Sequence, residues 1–182
     1  MKILIFGMSN IGKTTLGRAF AKQIGYDFVD LDEEIIKKYT TINHFQTLYP
    51  NQRKRDAVRH KLIVDILDAH ENVVVALSPI AYLDKYDDLF TDDNIFCFDL
   101  VDTPENIFKR LKFVDDDGKV LHVPQSYLDK HKSYYLREIR ADMNYFHGMY
   151  KDKMTTFSLE DCSVEEAVDN IIMYFKDKKL CI

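Results

Sequence analysis

The sequence predicts an α/β protein: a compact three-layer sandwich, five strands of a parallel sheet with helices between them. Three observations carry this expectation. Apolar runs of strand length alternate with amphipathic stretches of helix length along the chain. The run Val73-Val74-Val75-Ala76-Leu77 is continuous and rich in β-branched residues, as in a strand covered on both faces. No low-complexity linker, Pro/Gly-rich boundary or internal repeat interrupts the 182 residues, so a single domain spanning 1–182 is expected, long enough to bury a core.

Each element follows from its local pattern. Residues 2–6 (KILIF) read as a buried strand, and 13–24 as a helix with Leu16, Phe20 and Ile24 on one stripe. A short second strand covers 26–29, followed by a helix over 32–39. A longer helix spans about 51–70, where Val58, Leu62, Ile66 and Ala69 recur at helical spacing. After the strand at 73–77, residues 79–90 carry a short helix and 94–100 (NIFCFDL) another strand. Thr103 caps a helix that has Pro104 in its first position and runs to about 112. Asp115-Asp116-Asp117-Gly118 is a turn signal, and 126–148 are polar with helical tendency. Residues 155–159 form the last strand, and Ser163 with Glu166 makes a capping box for a final helix.

The bulk composition narrows the function. A net charge of −5 argues against a nucleic-acid binder. No apolar run approaches the roughly 20 residues that span a bilayer, and the N-terminal apolar run is too short for a signal peptide, so a cytoplasmic protein with no membrane partner is expected. Cys97, Cys162 and Cys181 are widely spaced and form no metal-ligand cluster with histidine; they read as reduced structural thiols.

The strongest motif is Gly7-Met8-Ser9-Asn10-Ile11-Gly12-Lys13-Thr14, which fits G-x-x-x-x-G-K-[ST] at every fixed position and sits between a strand and a helix. Glycines at both ends let the backbone curl so that the N–H groups from Ser9, Asn10, Ile11 and Gly12 point inward at phosphate oxygens. The helix that follows adds its unpaired N–H groups and dipole. Lys13 would then reach the β- and γ-phosphates of ATP, Thr14 would coordinate Mg²⁺, and Thr15 would touch the α-phosphate.

Asp30 and Asp32 leave the carboxyl end of the second strand, the edge where open parallel sheets bind ligands. Phosphoryl transfer needs carboxylates there, to hold metal or its water shell and to orient the attacking hydroxyl. The other reading of Asp32 is a helix cap. Glu33 and Glu34 read as first-turn acids of the helix.

The phosphate loop, the segment Thr15-Leu16-Gly17-Arg18-Ala19-Phe20-Ala21 and the stretch Asp27-Phe28-Val29-Asp30-Leu31-Asp32-Glu33-Glu34-Ile35 resemble shikimate kinase. The close match covers the first 38 residues; a weaker one, in element order and spacing, covers the whole chain. The resemblance implies a P-loop kinase fold with strand order 2-3-1-4-5 and a mobile helical lid, ATP and Mg²⁺ as cofactors, Asp30 near the metal, and Asp32 on the acceptor hydroxyls as orienter or base. It implies an Arg110 that stacks on adenine, against the alternative of an exposed helix arginine, and a lid over about 113–137 with Lys119, Lys130, Lys132 and Arg137 as candidate phosphate clamps.

The acceptor half departs from the family. Its F-R-x-x-E segment aligns with Lys54-Arg55-Asp56-Ala57-Val58, which keeps only the arginine, so Arg55 is the candidate for binding an acceptor carboxylate. Arg53, Lys54, Arg55, Arg59 and Lys61 form a basic cluster that suits an anionic acceptor but also fits a solvated helix face. Three glycines after the third strand are replaced by Ser78-Pro79-Ile80, which should reshape the acceptor pocket. The R-x-P-L-Y segment aligns with Phe146-His147-Gly148-Met149-Tyr150 without its arginine, and Arg140, six residues earlier, is the candidate substitute. The expected function is a monomeric small-molecule kinase that phosphorylates a hydroxyl of a small anionic acceptor, shikimate first, with a nucleoside, nucleotide or sugar acid next. A non-catalytic ATP-binding protein and an NTPase switch are the competing readings. No N-K-x-D motif and no acidic end to the 73–77 strand support the switch.

Overall fold

The computed structural model describes residues 1–115, 119–160, 162–180 and 182. Five strands form one wholly parallel sheet: β1 (Lys2–Phe6), β2 (Asp27–Asp30), β3 (Val73–Ala76), β4 (Ile95–Val101) and β7 (Thr155–Ser158), in the order β2-β3-β1-β4-β7. This is the order 2-3-1-4-5 that the resemblance implies, with β7 as the fifth strand. β5 (Phe113–Val114) and β6 (Val120–Leu121) pair antiparallel as a separate ribbon. Two-residue strands leave no periodicity to read, and the sequence did not predict them.

The strands alternate between two cores. Ile3 and Ile5 face α1 (Lys13–Ile24) and α8 (Val164–Asp177), where Leu16, Phe20, Val168, Ile171 and Phe175 are buried. Leu4 and Phe6 face α2 (Leu31–Tyr39) and α4 (Gln52–Ala69), with Ile35, Ile63 and Leu67. Burying each such side chain contributes about 1.5–3 kcal/mol. Gly17 allows α1 to lie close on β2: a Cβ there would meet the Phe28 ring at 2.7 Å.

Caps define most helix starts. Thr103 accepts from Asn106 N at 3.2 Å above Pro104 in α6 (Pro104–Lys109), and Ser163 and Glu166 form the expected capping box. Asn51 caps α4 and Thr41 caps α3 (Ile42–Leu48). The sequence did not show α3, whose only buried residue is Phe45. The short helix expected over 79–90 is a 3-10 turn (Leu83–Lys85) and α5 (Asp87–Thr91). Residues 126–148 belong to one long helix, α7 (Gln125–Tyr150). Of the turn expected at 115–118, residues 116–118 lie outside the described residues, as does Cys181. Cys97 and Cys162 are free thiols, and burial pushes Cys97 up to about 12.

The inward face of α4 differs from the expected stripe. Leu62, Ile63 and Leu67 are buried, while Val58 and Ile66 are half-buried and Ala69 is exposed. The helix turns because Asp56 and Arg59 also face inward, joined by a 2.7 Å ion pair. Asp56 accepts further hydrogen bonds from Gln52 at 2.9 Å and from the backbone N–H of Ala81 and Tyr82 at 3.0 Å. The Tyr150 hydroxyl, at the end of α7, donates to Ile80 O at 2.7 Å and accepts from Ile80 N at 3.0 Å. The segment that follows β3 is therefore fixed from two sides.

Removing one partner of a buried ion pair strands the other charge, which typically costs about 3–5 kcal/mol. Asp56→Ala is expected to lower unfolding stability by that amount in urea titration, and Asp56→Asn by less; a loss in Asp56→Ala within the error of the titration contradicts the structural role of the pair.

Candidate active site

The parallel register brings four chain ends to one edge of the sheet. Asp99 lies beside Phe6, and Ala76 lies beside both Ile5 and Asp30, so Gly7, Leu77 and Leu31 all begin there. The phosphate loop runs from Gly7 to the start of α1. Gly7 has φ 136°, Asn10 60° and Gly12 109°. These left-handed positions turn successive N–H groups inward to form an anion-binding concavity. A Cβ on Gly7 would also lie 2.9 Å from the carbonyl of Leu100. The Ile11 side chain is buried in the core, so only its backbone faces the loop interior.

Lys13 is buried, and its ammonium donates to the carbonyls of Gly7 at 2.8 Å and Met8 at 2.7 Å. Burial holds Lys13 down at about 8, against the opposing pull of Asp32, Asp30 and Asp99. The Thr14 hydroxyl donates to Asp30 at 2.6 Å. The other oxygen of Asp30 accepts from the backbone N–H of Asp32 at 2.9 Å and Glu33 at 3.4 Å. The capping role weighed for Asp32 therefore belongs to Asp30, because Asp30 is the last residue before α2. Asp32 is left free to face the cavity, where its carboxylate accepts from the Ser78 hydroxyl.

A cavity of about 730 Å³ unites Ser9, Asn10, Gly12, Lys13, Thr14 and Thr15 with Asp30, Asp32 and Pro79. Lys109, Arg110 and Lys112, from the end of α6 to β5, line the same space. The hydroxyl of Thr14 and the carboxylate of Asp30 are hard oxygen donors of the kind Mg²⁺ takes, alongside water and phosphate oxygens. Arg110 also lines an adjoining cavity of about 100 Å³ with Gly12, Thr15, Leu159 and Ser163. Its guanidinium is oriented by an ion pair with the fully buried Asp102, which an unattached surface arginine would lack.

Other expected residues lie elsewhere. Arg55 donates to the carbonyls of Tyr49 and Pro50, each at 2.9 Å, and lines a separate shallow pocket with Asn43, Thr47 and Pro50. Arg140 pairs with Glu105 at 3.0 Å, and Arg137 with Glu138 at 3.3 Å. Lys119, Lys130 and Lys132 are exposed and do not line the phosphate-loop cavity. Tyr135, from the Tyr134-Tyr135 pair, packs against Phe113 at 5.5 Å and Phe108 at 6.3 Å.

Sequence reasoning missed Asp99 and His147. The Asp99 carboxylate is buried, and its Oδ2 lies 3.0 Å from Nδ1 of the half-exposed His147. Burial pushes Asp99 up, with His147 opposing. A charged residue inside the apolar run NIFCFDL was the available signal.

The family model for shikimate kinase matches residues 9–172. A shikimate kinase from Caldicellulosiruptor saccharolyticus is 33% identical over 120 residues, which cover 65% of this chain and 67% of that protein. In fold the chain is similar to shikimate kinase from Aquifex aeolicus, with a TM-score of 0.71, 20% identity and 99% of each chain covered. It is also similar to the Acinetobacter baumannii shikimate kinase in complex with shikimate, with a TM-score of 0.69, 19% identity, and 99% of this chain and 95% of that one covered. With 164 residues under one family model, from 9 to 172, the chain belongs to the shikimate kinase family.

Proposed function

We propose that the protein transfers the γ-phosphoryl group of ATP, bound with Mg²⁺, to a hydroxyl of a small anionic acceptor, with shikimate the first candidate. The observation that carries this reading is one cavity lined both by the phosphate loop, at Lys13, Thr14 and Thr15, and by the carboxylate of Asp32. Membership of the family adds the acceptor class.

In this reading the loop N–H groups hold the β- and γ-phosphates, and Lys13 leaves the carbonyls of Gly7 and Met8 to reach them. Arg110 stacks on adenine in the smaller cavity. Thr14 and Asp30 would hold Mg²⁺, which would supply charge neutralisation on the phosphate oxygens. Asp32, oriented by Ser78, accepts the hydrogen bond of the acceptor hydroxyl and takes its proton. The acceptor oxygen bonds to phosphorus as the bond to the β–γ bridging oxygen breaks, and that electron pair leaves with ADP.

The lid of this reading is β5 and β6 with the start of α7, of which residues 125–137 are helical. Arg55 serves as the acceptor-carboxylate ligand only by releasing the Tyr49 and Pro50 carbonyls. We place the protein in the cytoplasm as a monomer; among the described residues no helix is long and apolar enough to cross a membrane.

The test is acceptor-dependent ADP release over a panel that includes shikimate and a blank without acceptor. Lys13→Ala is expected to lower both ATP affinity and turnover sharply, and unchanged ATP affinity rejects the loop assignment. Asp32→Asn is expected to keep ATP affinity and to cut transfer about 10²–10⁴-fold, the usual contribution of a positioned general base; full activity leaves Asp32 no role in transfer. A pH dependence follows from Lys13. Phosphate binds its charged form, so above about pH 8 binding must take up a proton. Affinity for ADP·Mg²⁺ should fall roughly tenfold per pH unit there and level off at lower pH, where Lys13 is already charged. Calorimetry that shows constant affinity through that range contradicts contact between Lys13 and the phosphates.

A further inference from the structure

Asp99 and His147 take no part in the transfer described above, and they line a further cavity of about 260 Å³. None of its lining residues lines the phosphate-loop cavity or the smaller one beside Arg110. Met8 and Ile11 reach it from the phosphate loop, Leu100 from β4, and Met143 and Phe146 from α7. These walls are apolar. The volume lies just below the roughly 300–1,000 Å³ of pockets that hold drug-sized ligands, so an occupant is smaller than those.

Its charged lining has one sign. Asp99, Asp102 and Glu160 contribute carboxylates, and among the described residues no lysine or arginine lines the cavity. Two of these carboxylates are already accommodated. Asp102 is paired with Arg110 and accepts from Thr103 N at 2.7 Å and from Asn106 at 3.0 Å, while Glu160 is exposed to solvent. Asp99 is different. Its side chain is only 3% exposed, and its Oδ2 contacts His147. Its Oδ1 has no hydrogen-bond partner among the described residues. A buried carboxylate oxygen without a partner costs free energy, and burial pushes Asp99 up against the pull of His147 and Lys13. An ammonium group supplies both the missing donor and the missing charge.

We propose that this cavity is a second ligand site, which binds a small organic cation with its ammonium on the free oxygen of Asp99 and its apolar body among Met8, Ile11, Met143 and Phe146. An anion would meet carboxylates and no lysine or arginine. A bare metal ion would leave the apolar walls unused. An aromatic body suits those walls, since thioethers such as those of Met8 and Met143 pack well against rings. The site stands apart from the kinase reading, because no step of the transfer uses the cavity, and occupancy makes and breaks no covalent bond.

The test titrates the protein, methyl-labelled at methionine, with phenethylamine, and with 2-phenylethanol and phenylacetate as its neutral and anionic counterparts. Phenethylamine is expected to shift the NMR signals of Met8 and Met143, which line the cavity, and to leave that of Met173 on α8 in place. The alcohol should bind at least about tenfold more weakly for want of the charged hydrogen bond, and phenylacetate should shift neither signal. Asp99→Asn keeps the shape of the side chain and should cost phenethylamine about tenfold in affinity while leaving the alcohol unchanged. Met143→Trp, at a half-buried position, should fill the cavity and abolish binding of both. Unmoved Met8 and Met143 signals in the wild-type protein overturn the proposal, as do equal affinities for the three probes or undiminished amine binding in Asp99→Asn. If Asp99→Asn does not fold, Met143→Trp decides: amine binding that persists there overturns the site.

Discussion

The carboxylate of Asp30 is the point on which the site depends. One oxygen takes the Thr14 hydroxyl of the phosphate loop, and the other takes the first free N–H groups of α2. Asp30 is buried at the end of β2, two strands away from the loop-bearing β1. The hydrogen bond from Thr14 therefore bridges the gap over β3 and fixes the first turn of α1 against the second strand. A buried carboxylate is tolerated only when its lone pairs are occupied. Because Asp30 supplies the cap, Asp32 is released to face the cavity beside Lys13. Two carboxylates two residues apart thus acquire different surroundings, one bonded to Thr14 and the start of α2, the other open toward the cavity.

The acceptor side is built differently. Where the family carries glycines, this chain has Ser78-Pro79-Ile80, and the structure fixes that segment rather than leaving it open. Asp56 takes the N–H groups of Ala81 and Tyr82, Tyr150 brackets Ile80, and Ser78 turns its hydroxyl to Asp32. The arginine of the basic cluster that faces inward, Arg59, is neutralised by Asp56. Among the described residues the buried Arg59 Nε has no hydrogen-bond partner, so this pair holds the loop at some energetic cost. The nucleotide half thus keeps the family's chemistry while the acceptor half has its own shape.

This division also explains what the sequence could show. The phosphate loop was legible because its conformation is local: left-handed positions at Gly7 and Gly12 demand particular residues at fixed spacing. The sheet was legible because each buried strand is a continuous apolar run, as in Val73–Ala76. The acceptor side depends on contacts between distant residues: Ser78 with Asp32, Asp56 with Ala81, His147 with Asp99, Tyr150 with Ile80. No local pattern encodes such pairs. Arg55 was singled out by alignment, but the carbonyls of Tyr49 and Pro50 hold it on α4's own N-terminal turn. The helix expected to run to about 112 ends at Lys109, and the chain that follows lines the cavity with Lys112.

The central claim is that this site moves a phosphoryl group to an acceptor hydroxyl rather than to water. Phosphorus NMR of the protein incubated with ATP, Mg²⁺ and shikimate reads that outcome directly. The account predicts a new phosphomonoester signal that grows in step with ADP and requires both shikimate and Lys13. ADP accompanied only by inorganic phosphate, or ATP left intact with every acceptor offered, would contradict it.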